Sequence, residues 1–174
     1  MNQPIKDLPP LNIEGAEFVY RRNFTGAAVG FDEEGDRNFN VKIDPAIANA
    51  LEADGWNIKW TKPGKNASEE VVRDFVPEPF LNVAVGFKFR PPTIFLIRNG
   101  QGTVITEKTV ATLDSAEFTN VDMVIRGRRH EMQGGGYKAW LAEFYGTVEV
   151  SEIGSKYLHL LDSAKPADEE DPDL

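Results

Sequence analysis

The chain contains no cysteine and only two histidines in its 174 residues. Disulfide frameworks, thiolate nucleophiles and the usual Cys/His zinc sites are thereby excluded. No apolar run approaches the roughly 20 residues that span a bilayer. Residues 1–10 hold three prolines, one lysine and one aspartate and lack the pattern of a signal peptide. The composition therefore points away from membranes and secretion, toward the cytoplasm. Positive charge is in the minority: 19 basic against 28 acidic residues give a formal net charge of −9. A uniformly basic surface that coats duplex nucleic acid is ruled out, although local basic strips are not.

Length and apolar content suit one ordinary domain with extended ends. Residues 1–11 read as a flexible arm, 12–160 as the folded domain, and 161–174 as a disordered acidic tail. Residues 162–174 alone hold six acidic side chains and one lysine, which leaves 22 acidic against 18 basic residues elsewhere. More than half of the net negative charge thus sits in the last thirteen residues.

Between the ends, strand patterns dominate. Phe39, Val41 and Ile43 alternate with polar residues, as do Trp56, Ile58 and Trp60. Asp44-Pro45 opens a short helix that Gly55 stops, with the aspartate as N-cap and the proline in the first helical position. Lys62 to Pro79 reads as a long loop with one helical turn near Val71. Leu81, Val83, Val85, Phe87 and Phe89 predict a strand whose other face is small or basic, ended by Pro91-Pro92. Thr93 to Arg98 suits a buried strand bounded by Asn99-Gly100, and Gly100-Gln101-Gly102 reads as a turn. A second helix is expected over Thr106 to Glu117, capped by Thr106 and facing inward through Val110 and Leu113. A hairpin is expected from Val121–Met132 and Tyr137–Val150 around the loop Gln133–Gly136. With Met132 opposite Tyr137, parity puts Arg126, Arg128 and His130 on one face with Tyr137, Leu141 and Tyr145. Val121, Met123, Ile125, Trp140, Phe144 and Val148 then form the core face.

Catalytic motifs are absent. Asp32, Glu33, Glu34 and Asp36 surround Gly35, and four carboxylates in such a turn ordinarily face water. His130 and His159, the latter in a helix expected before the tail, have no serine or aspartate at a triad spacing. Pro63-Gly64-Lys65 and Gly100-Gln101-Gly102 lack a full phosphate loop or dinucleotide fingerprint. No cofactor or metal is implied.

Single-strand binding needs cations that track phosphates and flat rings on which bases stack. Arg126, Arg128, Tyr137 and Tyr145 supply one such set, and Lys42, Lys59, Lys88 and Arg90 lie on non-core faces of other expected strands. For both Trp56 and Trp60 the alternation with polar residues favours burial over stacking, although a tryptophan near a strand end can do either. An ordinary solvated sheet face fits the arginine and tyrosine set equally well. The tail, with Asp168, Glu169, Glu170, Asp171 and Asp173 before the apolar Leu174, can imitate a phosphate strand in cis or dock in a partner's basic pocket. A solubilising role fits it as well.

The blocks RNFTGAAVGFDEEGDRNFNVKID, ADGWNIKW, NVDMVIRGRRHEM and GYKAWLAEFYGTVEV resemble phage-encoded single-stranded DNA-binding proteins over roughly residues 20–150. The resemblance implies a mainly β, OB-like Greek-key barrel with one or two short helices, whose sheet face and loops cradle single-stranded DNA. It also implies a non-enzymatic role in phage replication or recombination within the infected host. Replication and recombination proteins would be recruited through the tail, and self-association is open to such a protein. Bacterial single-strand binders typically end in proline-phenylalanine, whereas this chain ends in Pro172-Asp173-Leu174. The rival reading is a virion structural module, or a nucleic-acid mimic that binds no DNA. A carboxylate-metal nuclease built on Asp32 or Asp36 comes third.

Overall fold

A computed structural model describes residues 8–129 and 136–149. The tail, residues 1–7 of the arm, His130, Met132, the first three loop residues Gln133–Gly135, and His159 lie outside them. The protein is mainly β, with a nine-stranded sheet in which six strands run in the order β1-β8-β9-β5-β3-β2 and three more attach beside them. The six are β1 (Leu11–Ile13), β2 (Phe18–Asn23), β3 (Asn38–Lys42), β5 (Pro79–Ala84), β8 (Phe118–Arg129) and β9 (Tyr137–Val148). The others are β4 (Ile58–Trp60), paired to β5, and the hairpin β6 (Thr93–Arg98) and β7 (Gln101–Val104). β9 is the spine, antiparallel to β8 on one side and parallel to β5 and then β6 on the other. The architecture is OB-like, but β1 and β2 do not pair, so the barrel is not closed.

The expected alternation of β3 holds, because Phe39, Val41 and Ile43 are buried and join one core with Leu81, Val83, Ile94, Met123, Ile125 and Phe144. Trp56 and Ile58 are buried as well. Helix α1 (Pro45–Asp54) forms where local chemistry dictates: the Asp44 carboxylate accepts from the Ala46 amide, and Gly55 closes the end at φ 113°. Within the long loop, Ser68 caps the short helix α2 (Glu69–Asp74). Thr61 and Glu78 pin the base of that loop by two hydrogen bonds of 2.9 Å.

Four expectations need correction. The strand from Leu81 ends at Ala84 instead of Phe89, because no strand pairs beyond that point and Val85 donates its amide to the Arg37 carbonyl. Lys88, Phe89 and Arg90 therefore lie exposed in a loop. Gln101–Val104 is a strand, since Asn99 (φ 48°) and Gly100 (φ 76°) form a two-residue hairpin turn joining it to β6. The second helix shrinks to a 3₁₀ turn over Val110–Asp114; Val110 and Leu113 are buried as expected, but Thr106 does not cap it, and its own amide donates to the Thr109 hydroxyl. The β8–β9 hairpin has a different register, with Arg129 opposite Tyr137 and Ala142 as an extra bulge residue before Glu143.

The acidic loop between β2 and β3 is built around one buried amide. Asn23 donates through Nδ2 to Asp32 and to the Ala27 and Asp36 carbonyls, and its Oδ1 accepts from the Gly26 and Ala27 amides. The second Asp32 oxygen accepts from Asn38. Among the described residues no cluster of His, Asp and Glu could hold a metal. Asp114 clamps the start of the same loop by accepting from the Phe24 and Thr25 amides and the Thr25 hydroxyl.

Candidate nucleic-acid interface

In a sheet, residues facing away from the core alternate with those facing it, and cross-strand partners share a face. On β8, Arg126 stands opposite Trp140 of β9, and Arg128 stands opposite Lys138. Trp140 then faces Ala84 of β5, which faces Asn38 of β3. One row therefore reads Arg126, Trp140, Ala84, Asn38 across four strands. Another runs Lys59, Phe80, Lys42 across β4, β5 and β3. Between these rows, Asn82 donates to the side-chain oxygens of Asn38 and Asn40 at 3.2 Å and 3.0 Å. All of these residues lie on the face opposite the core.

Trp140 is the centre of the basic half of this face. Its half-buried ring lies against Gly86, where an added Cβ would come within 2.8 Å of it. The Lys138 ammonium sits 4.7 Å from its centroid. Among the described residues, no carboxylate lies within ion-pairing distance of Arg126, Arg128 or Lys138. Arg126 and Arg128 are thus open to a phosphate without displacing a carboxylate among the described residues, while Lys138 rests on the Trp140 ring. At the second row, Tyr20 lies edge-on to Phe80 at 5.4 Å. Tyr20 holds φ 61°, a left-handed torsion that an aromatic residue adopts at a cost, and its ring is exposed.

Two loops flank the same end of the sheet. The acidic loop carries Phe31, and the loop after β5 carries Phe89; their relative exposures are 107% and 81%. Lys88 stands 5.5 Å over the Phe89 ring. Arg37 ties the loops together: its side chain donates to the Phe24 carbonyl and lies over Phe87, and its backbone carbonyl accepts from Val85. A sheet face with rings and cations, bordered by two loops that present aromatic tips, is the surface with which OB folds hold single strands.

The sequence matches a family model described as "Putative phage ssDNA-binding domain" over residues 1–172. The chain belongs to this phage single-stranded DNA-binding family. No curated protein matches it.

For a member of the phage single-stranded DNA-binding family, the residues named from sequence fall into separate groups. Arg126 and Arg128 do share the outer face, but their neighbours are Lys138 and Trp140, not Tyr137 and Leu141. Trp140, expected in the core, faces outward. Leu141 is buried, and Tyr137 packs inward against Gly55, whose added Cβ would lie 2.7 Å from its ring. Val121, Met123, Ile125 and Phe144 are core residues as expected, with Val148 partly buried against them. Lys59 and Lys42 share the outer face, although Lys42 is bound to Glu17 at 3.1 Å and lies 3.9 Å from Glu78. The hydrogen bond that Lys42 donates to Glu17, with the charges of both carboxylates, holds the Lys42 ammonium pKa above its ordinary value. Trp60 lies at the end of β4 opposite Pro79, on the parity of buried Ile58 and not that of Lys59. Lys88 and Arg90 sit on the flanking loop.

Tyr145 faces outward beyond the bulge, in different company. Its ring stacks on Phe95 at 5.8 Å, and its hydroxyl donates to Glu143 at 2.6 Å, which raises its pKa. Glu14, Asp122 and Glu143 line the adjoining groove. The outer face is therefore polarised, basic around Trp140 and acidic around Tyr145. Sequence reading did not select Lys138, Trp140, Tyr20, Phe80, Phe31 or Phe89 for this surface. No local signal singles out the bulge, because Ala139, Trp140, Leu141 and Ala142 are all apolar and leave the parity of this stretch open.

Proposed function

We propose that the protein is a non-enzymatic single-stranded DNA-binding protein of phage replication or recombination, acting in the cytoplasm of the infected bacterium. The strand crosses the outer face with phosphates on Arg126, Arg128, Lys138 and Lys59 and a base stacked on Trp140. Lys88, Phe89 and Arg90 extend the contact from the flanking loop. Lys42 contributes less, because binding must compete with Glu17 and Glu78. Tyr145 marks the acidic boundary of the path, and neither Tyr137 nor Trp60 contributes a stacking ring. The observation that carries this reading is the set of cations around an outward-facing tryptophan that have no carboxylate partner among the described residues.

The acidic tail, Asp168, Glu169, Glu170, Asp171, Asp173 and Leu174, serves two roles in this proposal. Free, it offers carboxylates and one apolar side chain to the basic pocket of a replication or recombination protein. Bound in cis, it competes with DNA for the cationic patch at an effective concentration of roughly millimolar order. Fluorescence titration of labelled oligo-dT at two salt concentrations, with duplex of the same length as control, tests the function. The proposal expects tight, salt-dependent binding of the single strand and much weaker binding of the duplex. Absence of single-strand binding at any salt, together with stable assembly with itself or a host protein, would favour a virion or mimic role instead.

A further inference from the structure

The middle of the outer face is a ladder of amides whose polarity is fixed from one end. A carboxylate only accepts hydrogen bonds. Asp32 accepts from the Asn23 Nδ2 on one oxygen, and Asn38 must turn its own Nδ2 toward the other, at 3.0 Å. The Asn38 Oδ1 then accepts from the Asn82 Nδ2, which also donates to the Asn40 Oδ1. Two atoms are left over, the Asn82 Oδ1 and the Asn40 Nδ2. Among the described residues neither has a hydrogen-bond partner, and neither is buried.

Asn40 and Asn82 are direct cross-strand partners on β3 and β5, so a free acceptor and a free donor stand side by side. Rows on one face of a strand are two residues, about 7 Å, apart. The amide pair therefore lies one row from Ala84 and its neighbour Trp140, and one row from Phe80 with the exposed Tyr20 ring against it. Every nucleobase carries a donor next to an acceptor on its pairing edge: N3–H and O4 in thymine, N4–H and N3 in cytosine, N6–H and N1 in adenine, N1–H and O6 in guanine. Unstacked bases of single strands offer these edges to protein side chains, whereas in a duplex the complementary strand occupies them.

We propose that the Asn82 Oδ1 and the Asn40 Nδ2 bind the pairing edge of a base next to the one stacked on Trp140. This proposal rests on the single-strand reading above and deepens it. One donor–acceptor pair meets all four bases, so the contact tolerates any sequence. It also rejects duplex DNA by chemistry as well as by shape, because the groups it needs are already used in a base pair.

The test compares oligo-dT with the same oligomer built from N3-methylthymidine, which keeps every phosphate and the ring but loses the N3–H. One hydrogen bond is worth about a 2- to 13-fold change in affinity, and the wild-type protein should bind the methylated strand more weakly by that factor. In Asn82→Ala the two strands should bind within about twofold of one another. Asn40→Ala leaves the chain from Asp32 through Asn38 to Asn82 intact and serves if Asn82→Ala does not fold. It should weaken oligo-dT binding by the same factor with no change in salt slope. Equal binding of the two strands by the wild type, a full methylation penalty in folded Asn82→Ala, or unchanged oligo-dT affinity in Asn40→Ala would overturn the proposal and leave DNA binding standing. Failure of the wild type to bind either strand at any salt would instead overturn the single-strand reading, and this proposal with it.

Discussion

Replacing Trp140 with alanine separates stacking from charge. Stacking of one base on an aromatic ring is worth about 1 to 3 kcal/mol by alanine substitution. At about 1.4 kcal/mol per decade, Trp140→Ala should weaken oligo-dT binding about 5- to 140-fold. No phosphate contact is removed, so the dependence of log K on log salt should keep its slope. Arg126→Ala should instead flatten that slope by about 0.7, the value for one phosphate contact on a single strand. Fluorescence anisotropy at four or five salt concentrations measures both quantities. Trp140 is half-buried against Gly86 and Ala84, so thermal unfolding must show that the variant is folded at the assay temperature, and Trp140→Phe should recover most of the affinity. A folded Trp140→Ala protein with unchanged affinity would refute the assignment of this ring. A slope change as large as that of Arg126→Ala would refute the division of labour.

Gly86→Ala should shift the Trp140 ring, whose edge would lie 2.8 Å from the new methyl. Several-fold weaker oligo-dT binding is expected with a stability loss of about 1 to 3 kcal/mol, because the new methyl crowds the packed ring. Asp114→Ala leaves two backbone amides and a hydroxyl without their acceptor, and chemical denaturation should show a loss of about 2 to 4 kcal/mol. Changing five of the six tail acids, Asp168, Glu169, Glu170, Asp171 and Asp173, to their amides should tighten oligo-dT binding at low salt and have little effect at high salt; unchanged or weaker binding would reject competition by the tail. Tyr145 ionises above its ordinary value because its hydroxyl proton is held by Glu143. Its raised pKa favours the folded state at pH values below the ordinary tyrosine pKa, and that contribution fades as pH climbs through the raised value. Glu143→Gln should move one phenolate absorbance transition to lower pH, whereas an unchanged titration would contradict the bond.

What could be read from the chain was what local chemistry decides. Helix α1 follows from Asp44, Pro45 and Gly55, and the faces of β3 follow from strict alternation. The rest depended on partners distant in sequence. Alternation continues past Ala84 through Phe89, yet the strand stops because nothing pairs with it there. Gly100-Gln101-Gly102 looks like a turn until Asn99-Gly100 is recognised as the tight connection of a hairpin. The β8–β9 register was the costly miss. The three-residue difference in pairing and the bulge at Ala142 change which side each residue faces, so Trp140 exchanged places with Tyr137 and Leu141. The arginine half of the candidate site was legible because charge placed Arg126 and Arg128 outside. Its aromatic half was not, because periodicity alone cannot locate a bulge.

The most direct test of the binding face is ultraviolet cross-linking of the full-length protein to oligo-dT, followed by mass mapping of the thymine adducts. Adducts on Trp140, Phe89 and their neighbours on the outer face are the predicted result. Adducts confined to α2 or to the core-facing side of the sheet, or efficient cross-linking that survives Trp140→Ala and Arg126→Ala combined, would contradict it.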